Sequence, residues 1–450
     1  MMKTSARFLG LGLGLCLLFE VNQAFPQPNF TPYENNPVIA YGPAGSWDAG
    51  VIYLPEVVFK DSLYYMFYSG SANLMTTPFA MGYATSTDGF TWSKYNGNPV
   101  FQADGSGFDA FSAAEPCILL EDNLWVMYYS ARSVPGPGPG PAIGRATAPE
   151  PAGPWTRLED PVLTVGSAGE WDAHFVTPNT IIATDTGFVM YYSGGTGFPF
   201  PPTNDHARVG MATSADGINW VKYDDPATTD PPFAESDPVL QLGAPGSYDS
   251  GLAWECDVLP TENGWEMFYT SDPDDFSGER LCYATSSDGI HWTKDANNPF
   301  LSPTQPWATL DLVAPSVIKI DGTYFMYYLG TTTLLNGQIG LATGQSVTNV
   351  ATWRNETPRA FELMQNYPNP FNPTTTISFQ VQAQTSVTLS IFNVLGQQTR
   401  TLLEQTFAPG VHTVSWDGLD DNGQAVPSGL YVYQLRSGRA VISKKMILIR

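Results

Sequence analysis

Basic residues are scarce in this 450-residue chain: 20 Lys and Arg stand against 43 Asp and Glu, a net charge of −23. That excludes a nucleic-acid partner, because neutralising phosphates needs clustered Lys and Arg. It excludes binding to an anionic membrane surface for the same reason. Cysteine is scarce too. No two of Cys16, Cys117, Cys256 and Cys282 are spaced as Cys-x-x-Cys, so a zinc or redox site has no support. After export three would remain, enough for one disulfide and no framework. Long apolar runs are missing: Phe8–Phe19 is too short for a membrane span. It follows Lys3 and Arg7, so residues 1–24 read as a signal peptide and the mature protein as exported. Charged residues make up only 14%, yet aromatics reach 13%, with 42 Gly and 38 Pro. Strands and turns have that composition; disordered chains do not.

An internal repeat organises residues 36–353. One strand-like segment recurs five times: Tyr64-Tyr-Met-Phe-Tyr68, Trp125-Val-Met-Tyr-Tyr129, Phe188-Val-Met-Tyr-Tyr192, Trp265-Glu-Met-Phe-Tyr269 and Tyr324-Phe-Met-Tyr-Tyr328. Ala-Thr-Ser-x-Asp-Gly-x-x-Trp follows at Ala84–Trp92, Ala212–Trp220 and Ala284–Trp292, with degenerate copies ending at Trp155 and Trp353. Asp-Gly between apolar runs signals a hairpin. A third segment precedes each of the first: Leu54–Val58, Glu115–Leu119, Thr177–Ile181, Glu255–Leu259 and Ala314–Ile318. A fourth, Asn/Asp-Pro followed by two apolar residues, closes units one to four at Asn98, Asp160, Asp237 and Asn298. Four strands per unit, five units and no helical period predict an all-β, five-bladed β-propeller over residues 30–353. The fifth unit lacks its closing segment, and a spare copy, Asn36-Pro-Val-Ile39, precedes the first, as a closed ring requires.

Residues 354–360 read as a polar linker. From Phe361 to Arg450 the composition changes to alternating runs at Ile377–Val381, Val387–Phe392, His412–Trp416 and Tyr431–Leu435, the pattern of a small immunoglobulin-like β-sandwich. Residues 25–360 carry 37 acidic and 12 basic residues, whereas 361–450 are close to neutral.

What recurs in every unit reads as scaffold; what breaks the repeat is a site candidate. The first strand of a propeller blade lines the channel, and period two puts alternate residues on one face. Aligned, one column reads Leu54, Glu115, Thr177, Glu255, Ala314, and the next but one reads Glu56, Cys117, Asn179, Asp257, Ser316. Glu56, Glu115, Glu255 and Asp257 are therefore expected to converge on one cavity. Like charges crowded in a cleft spread their pKa values, which separates an acid from a base. Glycosidic cleavage needs that pair: one carboxyl to protonate the leaving oxygen, one carboxylate to activate water or attack the sugar. The expected roles are Glu255 as general acid, Glu115 as base or nucleophile, and Asp257 and Glu56 as tuning or sugar-binding groups. Trp254 is expected at the channel mouth as a stacking platform. Asn179, His174 and Asp249 are further substrate-binding candidates; the Asp249 expectation competes with a scaffold role, because Trp47-Asp48, Phe108-Asp109 and Trp171-Asp172 repeat the pattern of Tyr248-Asp249. No cofactor is called for. Asp272-Pro-Asp-Asp275 is a candidate calcium loop.

Two family resemblances add to this. Gln365-Asn-Tyr-Pro-Asn-Pro-Phe-Asn-Pro373, Ile391-Phe-Asn-Val-Leu-Gly-Gln397, Trp416-Asp-Gly418, Pro427-Ser-Gly-Leu-Tyr431 and Lys444-Lys-Met446 resemble the type A sorting domain of the type IX secretion system. The resemblance implies that this machinery is a partner, with transport across an outer membrane and release or attachment at the cell surface. The Asp-Gly…Trp hairpins resemble sialidase Asp-boxes but are one residue shorter, and the chain lacks the arginine cluster such enzymes need. The whole repeat resembles five-bladed glycoside hydrolases of families 43, 32 and 130. Trp254-Glu-Cys-Asp257 is similar to the family 32 Glu-Cys motif, whose Glu is the acid/base, which implies that role for Glu255; Ala114-Glu-Pro116 stands where relatives carry an Asp-Pro pair, which implies base or support for Glu115. Leu54 occupies the slot where family 43 carries an Asp, so a third carboxylate would have to come from Glu56, Asp257 or a loop. The functions left open are a monomeric, secreted glycosidase acting on a carbohydrate substrate, a non-catalytic carbohydrate-binding propeller and a structural surface protein.

Overall fold

The computed structural model describes residues 27–345 and 361–448, apart from 74–76, 122–123, 136–139, 198–205, 262–263, 276, 321, 334–335, 364–365, 367–370, 382–383, 394–396, 409 and 438–439. The signal-peptide and linker expectations, and Trp353, lie outside the described residues. The chain divides into two compact units, residues 1–349 and 350–450.

The first unit is five antiparallel blades. Their first strands are Val51–Lys60, Ser112–Glu121, Phe175–Thr184, Leu252–Thr261 and Asp311–Ile320, and each touches the next, with the fifth returning to the first. The aromatic repeats are the second strands: Leu63–Ser71, Leu124–Arg132, Gly187–Gly195, Gly264–Asp272 and Thr323–Thr333. The repeated methionines, Met66, Met127, Met190, Met267 and Met326, are wholly buried, as their place between sheets requires.

The ring closes as the displaced copy predicts. Asn29–Pro32 pairs antiparallel with Asn336–Gln345 of blade five, and Ile39 bridges Ile339. In the Asn-Pro segments the asparagine side chain stands in for a strand. Asn36 accepts from the Leu341 amide at 2.8 Å and donates to its carbonyl at 2.9 Å; Asn98 and Asn298 do the same to Tyr83 and Tyr283.

The aromatic-Asp pairs are scaffold. Trp47 stacks on Tyr68, Phe108 on Tyr129 and Trp171 on Tyr192, the last at 5.7 Å between centroids. The following Asp is buried, and a cation from the outer strand neutralises it: Lys94 with Asp48, Arg157 with Asp109, Lys222 with Asp172 and Lys294 with Asp249. Asp249 is thus a buried structural carboxylate, which overturns its expected role in substrate binding. The hairpin aspartates are also local structure. Asp88, Asp216 and Asp288 each accept the amides two and three residues on, and the second-strand tyrosines Tyr327, Tyr128 and Tyr191 donate to the carbonyls of Gly89, Gly217 and Gly289 in the next blade. Cys117, Cys256 and Cys282 are buried and free, so the disulfide that their number allowed is not formed.

The second unit is a two-sheet sandwich. One sheet orders Phe361–Leu363, Thr375–Val381 and Gly410–Trp416; the other orders Gln398–Phe407, Thr385–Asn393, Gly429–Ser437 and Ala440–Leu448. Period-two residues such as Ile377, Phe379, Val381 and Val387, Leu389, Ile391 fill its core around Trp416.

Because Asp172 is fully buried and Lys222 Nζ lies 2.6 Å from its carboxylate, Lys222→Met should cost about 3 kcal/mol in urea unfolding. Adding Asp172→Asn should recover part of that loss; a neutral Lys222→Met would contradict the reading of this pair as the blade's fastening.

Candidate active site

The first strands do not keep period two. Each carries a one-residue bulge against its second strand, falling between Tyr53 and Glu56, Ala114 and Cys117, Pro178 and Thr180, Trp254 and Cys256, and Val313 and Ser316. Leu54, Glu115, Glu255 and Ala314 sit there with positive φ, between 40° and 60°. Non-glycine residues avoid that region, and its cost must be offset by neighbours. The preceding blade supplies the offset. The Glu115 amide donates to Ser69 Oγ at 2.7 Å, the Glu255 amide to Ser193 Oγ at 2.7 Å, and the Ala314 amide to Thr270 Oγ1 at 2.9 Å. Ser193 Oγ also lies 2.8 Å from the side-chain amide of Asn179, so Asn179 braces the Glu255 backbone.

By their partners the four carboxylates form two tiers, one bonded across blades and one with an unpartnered oxygen on each residue. In the lower tier, Glu56 accepts from the Ile118 amide of blade two and Ser316 Oγ of blade five. Asp257 accepts from Thr180 Oγ1 of blade three at 2.8 Å and the Val317 amide of blade five at 2.6 Å. These two carboxylates and their partners link all five blades. Burial pushes both up, Asp257 to about 6, and Asp257 raises Glu56 further by like-charge repulsion. Asp257 is therefore committed to hydrogen bonds that join blades three, four and five, which departs from its expected catalytic role.

The upper tier holds Glu115 and Glu255, 7% and 4% exposed. Each leaves one buried carboxyl oxygen, Oε2, without a hydrogen-bond partner. Burial raises Glu115 to about 7, against the pull of Thr177, Ser130 and the Arg132 guanidinium. Burial raises Glu255 well above the carboxylate range, and the Glu115 and Asp311 charges add to it. The Tyr53 hydroxyl donates to Glu255 Oε1 at 3.4 Å. Trp254 is 5% exposed and its indole N–H donates to Glu279 Oε1 at 2.9 Å, so it is a buried donor instead of the expected stacking platform. Glu279 in turn donates its amide to Asp311 Oδ1.

Glu279 and Tyr53 escaped the sequence reading. Glu279 stands where the third strands of the other blades carry Phe79, Pro141, Ala207 and Gly337, so the repeat-breaking rule that selected Glu255 also marks it once the strands are aligned. His174 is exposed just before the third blade's first strand, its amide bonded to the Gly195 carbonyl. In the candidate calcium loop, Asp272 accepts the Gly278 amide and is raised by burial to about 7. Among the described residues no group of three or more His, Cys, Asp and Glu side chains is placed to hold a metal.

Comparisons with known proteins agree with the architecture. Residues 366–440 match the FlgD Ig-like domain family. A sequence search of curated proteins finds no match. Among solved structures, the chain is similar to one described as a glycoside hydrolase (TM-score 0.57, 19% identity, 74% of this chain and 96% of that one). It is similar to a structure from work on the family 130 mannoside phosphorylases that contain glycoside hydrolases targeting β-1,2 mannosidic linkages in Candida mannan (TM-score 0.54, 17% identity, 72% and 94%). A third is a family 117 glycoside hydrolase produced by the marine bacterium Zobellia galactanivorans (TM-score 0.51, 17% identity, 74% and 98%). At such identities the likeness is one of fold: this is the propeller architecture on which those hydrolases are built.

The buried carboxyls fix the sign of the pH response. Glu115, Asp257 and Asp272 titrate near 7, 6 and 7 when folded and near 4 when unfolded, so the folded state holds more protons in between. Stability should fall as pH rises from about 5 to about 8, with Glu115→Gln flattening part of that slope. Urea unfolding across the range checks it, and a flat or rising profile would contradict it.

Proposed function

We propose that the chain is a glycoside hydrolase whose acid/base pair is Glu255 and Glu115. The observation that carries this reading is the upper tier itself: two carboxyls on strained residues, buried side by side in charge influence, each with an oxygen left without a protein partner. Such strain and such orphaned acceptors persist where function holds them. Glu255 keeps its proton to higher pH than Glu115 because it is desolvated and faces carboxylates without a cation among them, whereas Arg132 helps Glu115 ionise. At neutral pH and above, Glu255 is then the proton donor to the leaving oxygen, and Glu115 the carboxylate that activates water or attacks the sugar. Asp257 and Glu56 stay outside the reaction and hold the blades beneath it.

The substrate class follows from charge. Glu115, Glu255, Glu279 and Asp311 converge electrostatically on Tyr53, and residues 25–360 carry a large negative excess. A uronate or sulfated glycan would be repelled from that field, so the substrate is an uncharged carbohydrate. The glycoside hydrolase neighbours support the reaction class through shared fold. For the C-terminal sandwich the proposal is that it is the address read by type IX secretion, carrying the enzyme across an outer membrane to the cell surface or medium.

Reducing-sugar release by the full chain over a panel of neutral and acidic polysaccharides tests the enzyme. Glu255→Gln and Glu115→Gln should each lower kcat/KM on a neutral glycan by about 100-fold or more while the fold persists. The pH profile of kcat/KM should have its acidic limb near the Glu115 value of about 7. Retention on a polysaccharide gel without any cleavage would replace the enzyme by a carbohydrate-binding propeller. Separately, a chain ending at residue 360 should stay in the periplasm of a bacterium that carries the type IX machinery; its appearance in the medium would remove the sorting role.

A further inference from the structure

In the aligned first strands one position stands immediately before Leu54, Glu115, Thr177, Glu255 or Ala314, and all of these but Thr177 are left-handed. It is aliphatic in three blades, at Ala114, Val176 and Val313, and aromatic with a donor head in two, at Tyr53 and Trp254. Both heads point to the same chemistry. Tyr53 Oη donates to Glu255 Oε1, and Trp254 Nε1 donates to Glu279 Oε1, so the two exceptions in the column serve the two blade-four carboxylates that themselves break the repeat.

We propose that Tyr53 is a positioning residue that decides which oxygen of Glu255 carries the catalytic proton, with Trp254 holding the neighbouring Glu279 in the same manner. This rests on the reading of Glu255 as the acid. Burial, together with the charges of Glu255, Glu279, Glu115 and Asp311, keeps the Tyr53 phenol protonated, so its O–H is available to donate. Its hydroxyl is therefore a standing donor to Oε1. In the neutral acid the oxygen that accepts this bond is the carbonyl oxygen, so the proton belongs on the other oxygen, Oε2, which has no protein partner. At 3.4 Å the bond is long, the slack usual for a catalytic contact before substrate tightens it. The groups that face Glu255 are Tyr53 from blade one, Glu115 from blade two, Glu279 within blade four, and Asp311 and the Ala314 amide from blade five. Of these side chains, Tyr53 is the hydrogen-bond donor.

A donor to the charged form favours ionisation, so its removal should make Glu255 a weaker acid. The test is ¹³C NMR titration of the full chain labelled at the glutamate side-chain carboxyl, with Glu255→Gln assigning the resonance. Tyr53→Phe should raise the Glu255 midpoint by about half a pH unit or more, a roughly threefold change in ionisation constant. The basic limb of the kcat/KM profile on the cleaved neutral glycan should move up with it. Tyr65→Phe, which removes a hydroxyl from the next strand of the same blade, should move neither. Trp254→Phe should raise the Glu279 midpoint in the same way, and serves if Tyr53→Phe unfolds. An unmoved Glu255 midpoint in folded Tyr53→Phe, or an unmoved Glu279 midpoint in Trp254→Phe, overturns the assignment. If the midpoints move but no glycan is cleaved by the unsubstituted chain, the hydrolase reading fails and the positioning contact stands.

Discussion

The hydroxyl of one blade holding the backbone of the next is the contact on which the centre of this propeller depends. Ser69, Ser193 and Thr270 each accept an amide from a residue with positive φ in the following first strand. Without that acceptor a buried N–H would be orphaned on a strained residue, and the strand would relax toward regular pleat. With it, the first strands of blades two, four and five hold their bulges, and the residue at the bulge turns out of line with the residue two further on. The inter-blade contact thus sets the register of the ring and the direction of Glu115 and Glu255 together.

From that bulge follows a division of labour among acidic residues that look alike in sequence. The lower carboxylates, Glu56 and Asp257, spend their oxygens on amides and hydroxyls from three neighbouring first strands and bind the blades around the axis. Those after the aromatic residues, such as Asp172 and Asp249, are buried against a cation and fasten the outer edges of blades one to four. Those of the hairpins cap their own turns. Glu115 and Glu255 are left with an unshared oxygen apiece, and Glu279 beside them is met by an indole. Orphaned acceptors in a desolvated setting favour the protonated carboxyl, and the proposed proton donor draws on that.

The excess of acid over base is then intelligible as architecture plus chemistry. Four cations are committed to the blade edges, and Arg132 is the guanidinium that acts on Glu115. Glu255, with no such partner, retains its proton longer. On the proposed reading, two carboxyls of one residue type take different roles because their surroundings differ, with the separation made by desolvation and by the presence or absence of one nearby cation.

The sequence by itself determined the five-unit repeat, its strand content, the closure of the ring by the displaced Asn36-Pro-Val-Ile39 copy, the C-terminal sandwich and the candidacy of Glu115 and Glu255. Those are matters of period and of what interrupts it, and both are visible in a string of residues. The tertiary structure decided which face each carboxylate takes. A bulge is a mismatch between two strands and has no signature in one, so period two carried Glu56 and Asp257 into the wrong tier. It decided also that Trp254 is buried, that Asp249 is paired and that Tyr53 and Glu279 join the site. Each of those depends on a partner from a different strand or blade, tens to hundreds of residues away along the chain, and spacing cannot express it.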